Sequence, residues 1–192
     1  SDYVDFIPTG HRRDDDLPDY EMLPESLKHA VASFLLVCAI RYFRGQKSVH
    51  NSMLIHVSRF TNWQNRIVEI ITQLFEYYRD SINISDPEIM EYFRQIYEGS
   101  ALFESFISVT DTITQNEALK ALDVEFRMPS WEELRHLLSI TTPRIVIKEI
   151  NGSAGETLEY HRHKESGLSV IAIGGDRLSR GLTLEGLSVS YF

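Results

Sequence analysis

The sequence predicts an α/β domain with a parallel sheet that carries a helical insertion. Four short runs rich in isoleucine, valine and leucine occupy residues 52–58, 144–150, 168–173 and 187–192. The first run, with Met53, Leu54, Ile55 and Val57, is nearly continuous, which is typical of a buried parallel strand, whereas the run at 144–150 alternates. Segments with helical spacing of apolar residues lie before and after the first run, and strands that alternate with helices indicate β–α units.

The composition is that of a globular domain. The 192 residues are 43% hydrophobic and 24% charged, and the net charge is −9. So acidic a chain is a poor non-specific DNA-binding module by itself, because lysine and arginine supply that affinity. No apolar run approaches the length of a membrane span and no signal peptide is apparent, so we expect a cytoplasmic protein. The single cysteine, Cys38, lies among leucine and valine and is predicted to be a buried thiol.

The first third of the chain predicts an arm followed by a helix, a strand and a second helix. Residues 1–22 contain two prolines, a glycine and three consecutive aspartates without any regular period, which predicts an arm or linker. Helical spacing begins near Pro24 and ends at Gly45. After the strand at 52–58, Thr61–Gln64 fits a capping box that would open the next helix.

Residues 85–140 are predicted to be a helical insertion between the first and second strands. Asp86-Pro87 suits the start of one helix, because aspartate accepts from free amides and proline fits the first turn. Ser130–Glu133 fits a second capping box. The domain is therefore expected to span 23–192, with this insertion inside it.

The most informative segment is the loop at 174–186, between the third and fourth strands. Its thirteen residues include four glycines and two arginines. Glycine lets the backbone approach a ligand closely, and arginine presents a fork of donors that matches phosphate. The loop also follows the carboxyl end of a strand, where open α/β sheets bind ligands. These residues alone leave two interpretations open, a phosphate-binding loop and a glycine turn with solvated arginines.

Three stretches of the sequence resemble the Z-one domain family. That family is often labelled as endonucleases and is associated with superfamily-two helicase domains in bacterial restriction and defence systems. The resemblance covers about residues 23–192 and implies a partial RecA-like sheet, similar to the carboxyl-terminal domain of helicases. The matching stretches are Ile173–Leu187 (IGGDRLSRGLTLEGL), Leu23–Leu27 leading into Phe34 and Ala39–Arg41, and Ser52–Ser58 (SMLIHVS).

The resemblance implies which residues contact ligands. Asp176–Thr183 resembles helicase motif V, which links nucleotide and nucleic acid. Met53–Ser58 with Arg59 resembles motif IV, where a strand end and the next helix start touch a nucleic-acid phosphate. The implied nucleotide contacts are Gly175, Asp176, Arg180, Gly181, Thr183 and Glu185, and the implied nucleic-acid contacts are Ser58, Arg59 and Ser179.

The implied function is that of a fragment of a helicase-like, nucleic-acid-dependent ATPase. The sequence has no G-x-x-x-x-G-K-[S/T] phosphate loop and no acidic DExx motif. ATP and magnesium would therefore be held together with a preceding phosphate-loop domain of the parent protein, and this fragment alone is expected to bind neither and to hydrolyse no ATP. DNA and other defence-system subunits are the expected partners, and no membrane is.

Metal and nuclease sites are not predicted. His161 and His163 alternate in a polar loop without a nearby cysteine, a pattern that usually means solvated side chains. Asp176 and Glu185 do not form a clear acidic constellation for a nuclease metal. A rival hypothesis is a non-catalytic scaffold in a defence complex, in which the insertion at 85–140 docks partner proteins. The acidic charge and the size of that insertion favour it.

Overall fold

The computed structural model describes residues 3, 5–56, 58–100, 106–108, 115–122, 127–150, 158–175 and 183–192. The helices of this part of the chain are α1 (Glu25–Phe43), α2 (Thr61–Ile84), α3 (Pro87–Glu98), α4 (Glu117–Leu122) and α5 (Trp131–Thr141). The strands are β1 (Asn51–Ile55), β2 (Ile145–Ile150), β3 (Ser169–Gly174) and β4 (Leu187–Tyr191). Short 3-10 helices lie at Tyr20–Met22, Thr142–Arg144 and Tyr160–His163.

The four strands form one parallel sheet in the order β2-β3-β1-β4. Strand β1 pairs with β3 in register from Asn51↔Ser169 to Ile55↔Ile173, and with β4 across a register shift between Ser52 and Met53. The predicted α/β class with a parallel sheet is confirmed. Each of the four predicted strands is present, with bounds that shift by at most a few residues.

The main core lies between one face of the sheet and the helices. Met53, Ile55, Ile171 and Ile173 point to this side and are completely buried against α1, α2, α3 and α5. Alternate residues of β3 face the other side, because successive side chains of a strand point to opposite faces. There they join Leu158, Tyr160 and Leu168 in a smaller cluster that loops cover.

Helix α1 is a core helix that is also long and apolar. Its 19 residues reach a mean hydropathy of 1.3 over an 18-residue window, so the expectation that no apolar run approaches a membrane span is wrong in length and composition. In the structure 56% of that window is buried, and the helix packs against α5 and β4. This packing is that of a core helix in a globular domain.

Helices begin at all four predicted starts, near Pro24, Thr61, Asp86 and Ser130, and two of the three predicted side-chain caps are confirmed. The Asp86 carboxylate accepts from the first-turn amides of α3, and Ser130 with Glu133 forms the capping box of α5. The capping box at Thr61–Gln64 is wrong, because Phe60 occupies the cap position of α2 and no side chain caps it. Gln64 instead donates to the carbonyl oxygen of Ser58 at 2.8 Å.

The region predicted as an insertion contributes to the main core. Helices α3, α4 and α5 confirm its helical character, although residues 101–105, 109–114 and 123–126 lie outside the described residues. Phe93 and Tyr97 of α3 and Leu134 and Leu138 of α5 are at most 1% exposed and belong to the same cluster as the sheet residues. The apolar faces of these helices are therefore turned inward.

The amino-terminal arm is packed on the domain. Phe6 and Ile7 are 0% and 3% exposed and lie in the main core. Arg66 of α2 donates to the carbonyl oxygen of Pro18 at 2.9 Å and forms an ion pair with Asp19 at 2.9 Å. The described residues 5–19 have no helix or strand, as their sequence predicts, but tertiary contacts hold them in place.

Candidate site at the carboxyl edge of the sheet

The chain leaves β1 and β3 in opposite directions. From β1 it continues through α2–α5 to β2, which is the outermost strand at one end of the sheet. From β3 it continues to β4, which is the outermost strand at the other end. Strands β1 and β3 are parallel neighbours, so their carboxyl ends lie side by side. The crevice beyond the carboxyl ends of strands is where open α/β sheets bind ligands.

Two of the stretches that carry the predicted contacts meet at this crevice. Ser58 and Arg59 follow β1, and Gly175 follows β3 directly. A Cβ atom added to Gly175 would lie 2.8 Å from the carbonyl oxygen of Ser58 and 2.2 Å from Nε2 of Gln64. Only glycine fits so close an approach. We name Ser58, Arg59, Gln64 and Gly175 the carboxyl-edge crevice.

The loop between β1 and α2 has a buried polar core and an exposed arginine. Ser58 and Gln64 are 4% and 5% exposed, and the Ser58 hydroxyl accepts from the amide of Phe60 at 3.2 Å. Arg59 is exposed, with its guanidinium 4.9 Å from the centre of the Phe60 ring. Ser58 and Gln64 therefore shape the loop, while Arg59 is the side chain of this group that a ligand can reach.

The start of α2 has properties that favour an anion. The first-turn amides of a helix have no intrahelical acceptor, and the helix dipole adds positive potential there. The cap residue Phe60 offers no side-chain acceptor to those amides. The amides and Arg59 are thus the groups at this crevice that suit a phosphate.

The amino-terminal arm lies over the same loop. Nε2 of His11 is hydrogen-bonded to the Ser58 hydroxyl at 2.8 Å, and the His11 ring lies 4.4 Å from the Trp63 ring. Trp63 and Asn62 donate to the carbonyl oxygens of Arg12 and Arg13 at 3.1 and 2.6 Å. The sequence did not indicate this role for His11, because the arm has no period that would place it on α2.

Of the remaining predicted nucleotide contacts, the structure describes Thr183 and Glu185, and Glu185 does not lie at the crevice. Glu185 lies at the opposite, amino-terminal edge of the sheet, where its carbonyl oxygen accepts from Ser52 at 2.8 Å and its carboxylate lies 3.7 Å from His50. The length of β1, roughly 13 Å at about 3.3 Å per residue, separates the two edges. Thr183 is exposed, and Asp176, Ser179, Arg180 and Gly181 lie outside the described residues.

The histidines do not build a metal site within the described ranges. No three side chains of histidine, cysteine, aspartate or glutamate converge there. His50 accepts from the amide of Leu168 at 3.1 Å, and the centre of its ring lies 4.8 Å from the centre of the tilted Tyr160 ring. It therefore joins two loops at the amino-terminal edge.

The structure is that of a mixed α/β domain with a four-stranded parallel sheet. A family model that describes the Z1 domain matches residues 26–192. The chain therefore belongs to the Z1 domain family, which confirms the family that the sequence resemblance indicated. No curated protein and no solved structure matches the chain.

Proposed function

We propose that this Z1 domain forms one wall of a nucleotide- and nucleic-acid-binding cleft in a helicase-like, nucleic-acid-dependent ATPase of a restriction or defence system. The proposal rests on the meeting of Ser58-Arg59 with Gly175 at the carboxyl-edge crevice. These residues belong to the stretches that resemble helicase motifs IV and V. In this proposal the parallel sheet is part of a RecA-like domain.

The proposal gives different roles to the residues of the crevice. Arg59 contacts a nucleic-acid phosphate together with the first-turn amides of α2, since a guanidinium and a helix start both favour that anion. The buried Ser58 and Gln64 position this loop. Arg180 and Gly181, with Asp176 and Ser179 beside them, contact the bound ATP and the nucleic acid.

Catalysis in this proposal also needs a phosphate-loop domain. That domain would hold ATP and magnesium, and closure of the two domains would bring Arg180 to the phosphates. A positive charge placed at transferring phosphates acts mainly on the transition state. DNA is the proposed nucleic acid, and other defence-system subunits are the proposed protein partners.

The experiment is ATP hydrolysis by the protein that carries both domains, with and without single- and double-stranded DNA. We expect DNA to stimulate hydrolysis, and Arg180→Ala to lower the stimulated rate by about a hundredfold or more, because one donor to a developing charge contributes that much. Arg162→Ala is the matched control. Arg162 is 66% exposed and pairs with Glu159 at 2.9 Å, away from the crevice, so its loss should not change the rate.

Unchanged DNA-stimulated turnover in Arg180→Ala would contradict the role assigned to Arg180. No hydrolysis by folded protein under any condition would favour the second candidate, a protein-interaction scaffold. The observation that supports a scaffold is the exposed acidic surface of α3 and α5, which carries Glu88, Glu91, Glu98 and Glu132. Because the apolar faces of both helices are buried, a partner would have to bind that acidic surface.

A further inference from the structure

A cleft of about 40 Å³ lies at the amino-terminal edge of the sheet, on the opposite side from the crevice. Asn51 at the start of β1 and Ser169 at the start of β3 line it, next to the end of α1. Arg41, Lys47 and Arg144 also line it, and we name these three the basic cleft. No aspartate or glutamate is among its described lining residues.

Arg41 is held in position inside the cleft. Its Nε donates to Oε1 of Gln46 at 3.0 Å, and its Nη1 donates to Oδ1 of Asn51 at 3.0 Å. Partial burial lowers the pKa of Arg41 from its ordinary value, which reflects a loss of hydration of its charge. Arg41 belongs to the Ala39–Arg41 stretch, which is part of the resemblance to the Z-one family. It is not one of the residues of the carboxyl-edge crevice.

Lys47 and Arg144 both contact the aromatic ring of Tyr42. Nζ of Lys47 lies 4.5 Å from the centre of the Tyr42 ring, and the guanidinium carbon of Arg144 lies 5.6 Å from the same centre. Each contact is a cation–π interaction. Tyr42 itself lines the cleft together with Arg41, Lys47 and Arg144, so the three cations surround the same space.

A glycine brings the loops of the cleft together. Gly167 has φ +70°, and an added Cβ atom would lie 3.0–3.1 Å from the backbone of residues 47–49. The turn that ends at Gly167 is therefore seated on the loop that carries Lys47. Arg144 donates to the carbonyl oxygen of Ser166 in the same turn at 3.2 Å.

The three cations lack acidic partners although the chain is acidic. The sequence has 28 acidic and 19 basic residues. Arg66, Arg79, Arg94 and Arg162 each form an ion pair with a carboxylate. Within the described part of the chain, Arg41, Lys47 and Arg144 form none. No carboxylate of the described residues therefore neutralises these three charges, and a bound anion would do so.

We propose that the basic cleft binds a single phosphate group, either as free phosphate or as part of a nucleotide or nucleic acid. Arginine matches two phosphate oxygens with its planar fork, and lysine adds a compact charge. The volume of about 40 Å³ is far below the roughly 300 Å³ of pockets that enclose whole small molecules, so the cleft suits a group as small as phosphate. This inference does not depend on the proposed ATPase function, because the cleft lies at the other edge of the sheet.

The test is titration of the chain with inorganic phosphate by isothermal calorimetry, at constant ionic strength set with chloride. Lys47→Gln with Arg144→Gln should weaken binding by about tenfold or more, since two charge-assisted contacts are lost. Both side chains are exposed, so the double variant should fold, and its melting temperature without phosphate checks this. Lys148→Gln is the matched control, because it removes an exposed charge from β2 outside the cleft.

Two further titrations identify the source of the phosphate. A nucleoside diphosphate and a short single-stranded oligodeoxynucleotide are compared with inorganic phosphate. A loss in the double variant for any of the three supports the proposal, and the ligand that shows the largest loss identifies the source. Equal affinity of the double variant and Lys148→Gln for all three ligands would overturn the proposal, and so would the absence of binding by the unaltered chain.

Discussion

Cys38 shows how one residue links the core to the amino-terminal edge. Its side chain is buried, and its sulfur accepts from Nδ2 of Asn51 at 3.1 Å. Asn51 accepts in turn from Arg41, and Cys38 is among the residues that line the cleft of Arg41, Lys47 and Arg144. Burial raises the pKa of Cys38 to about 12, because a thiolate would lose its hydration in this position.

We expect Cys38 to react very slowly with Ellman's reagent at pH 8 in the folded protein. The thiolate is the reactive form, and the raised pKa leaves almost none of it. Since folding raises the pKa above its ordinary value of 9.0, the thiol contributes stability below about pH 9 and loses it as the pH rises towards 12. Denatured protein is the control and should release one equivalent of chromophore rapidly. Equal rates for folded and denatured protein would contradict the burial of this thiol.

The environment of Cys38 was predictable at the residue scale, whereas that of Ser58 was not. Cys38 has apolar neighbours in the sequence itself, so local composition predicts burial. Ser58 is buried because His11, 47 residues earlier, covers its hydroxyl and because Gln64 binds its carbonyl oxygen. Contacts across that sequence separation leave no local pattern.

At the scale of the elements, the cap of one helix is determined by its local sequence, and that of another by a tertiary contact. In α5, Ser130 accepts from the amide of Glu133 and Glu133 accepts from Ser130, so four consecutive residues complete the box. In α2, Gln64 has the sequence position of a box partner but its amide reaches the Ser58 carbonyl. The same pattern was correct at α5 and wrong at α2, because a nearby buried acceptor competed for Gln64.

Ser130→Ala should therefore lower the free energy of unfolding by about 1 kcal/mol, the usual effect of losing a helix cap. Thr61→Ala is the matched control and should change it by less than about 0.5 kcal/mol, because Thr61 caps nothing. Urea denaturation measures both. The two hydrogen bonds from Ser130 lower the pKa of Glu133, so the Ser130 effect should hold above the ordinary pKa of about 4.5 and fade as the pH drops through the lowered value. Equal losses in both variants would refute the assignment of the caps.

The strands were the elements that the sequence specified best. Their runs are short, rich in isoleucine, valine and leucine, and bounded by glycine or polar residues, a pattern that requires no knowledge of their neighbours. The arm was less predictable, since Phe6 and Ile7 form a single apolar pair in a segment rich in aspartate, proline and glycine. Their burial depends on a surface that only the folded domain provides.

At the scale of the whole molecule, strand direction decides which predicted contacts share a site. Strands β3 and β4 both run parallel to β1, so the end of β3 and the start of β4 lie at opposite edges of the sheet. Gly175 and Glu185 therefore lie at opposite edges, although the sequence places them within one glycine-rich loop. Loop composition grouped both residues in one predicted ligand-binding loop, because composition carries no information on which edge of the sheet each end of the loop occupies.

The docked arm should make the amino terminus resistant to trypsin. A protease must draw several residues into an extended conformation around the cleaved bond. The carbonyl oxygens of Arg12 and Arg13 are held by Trp63 and Asn62, although both arginine side chains are exposed. We expect mass spectrometry to show cleavage after these arginines only at the rate at which the arm detaches, and His11→Ala to accelerate it. Immediate cleavage in the folded protein would mean that the arm is a free linker, so digestion time measures how often the carboxyl-edge crevice is uncovered.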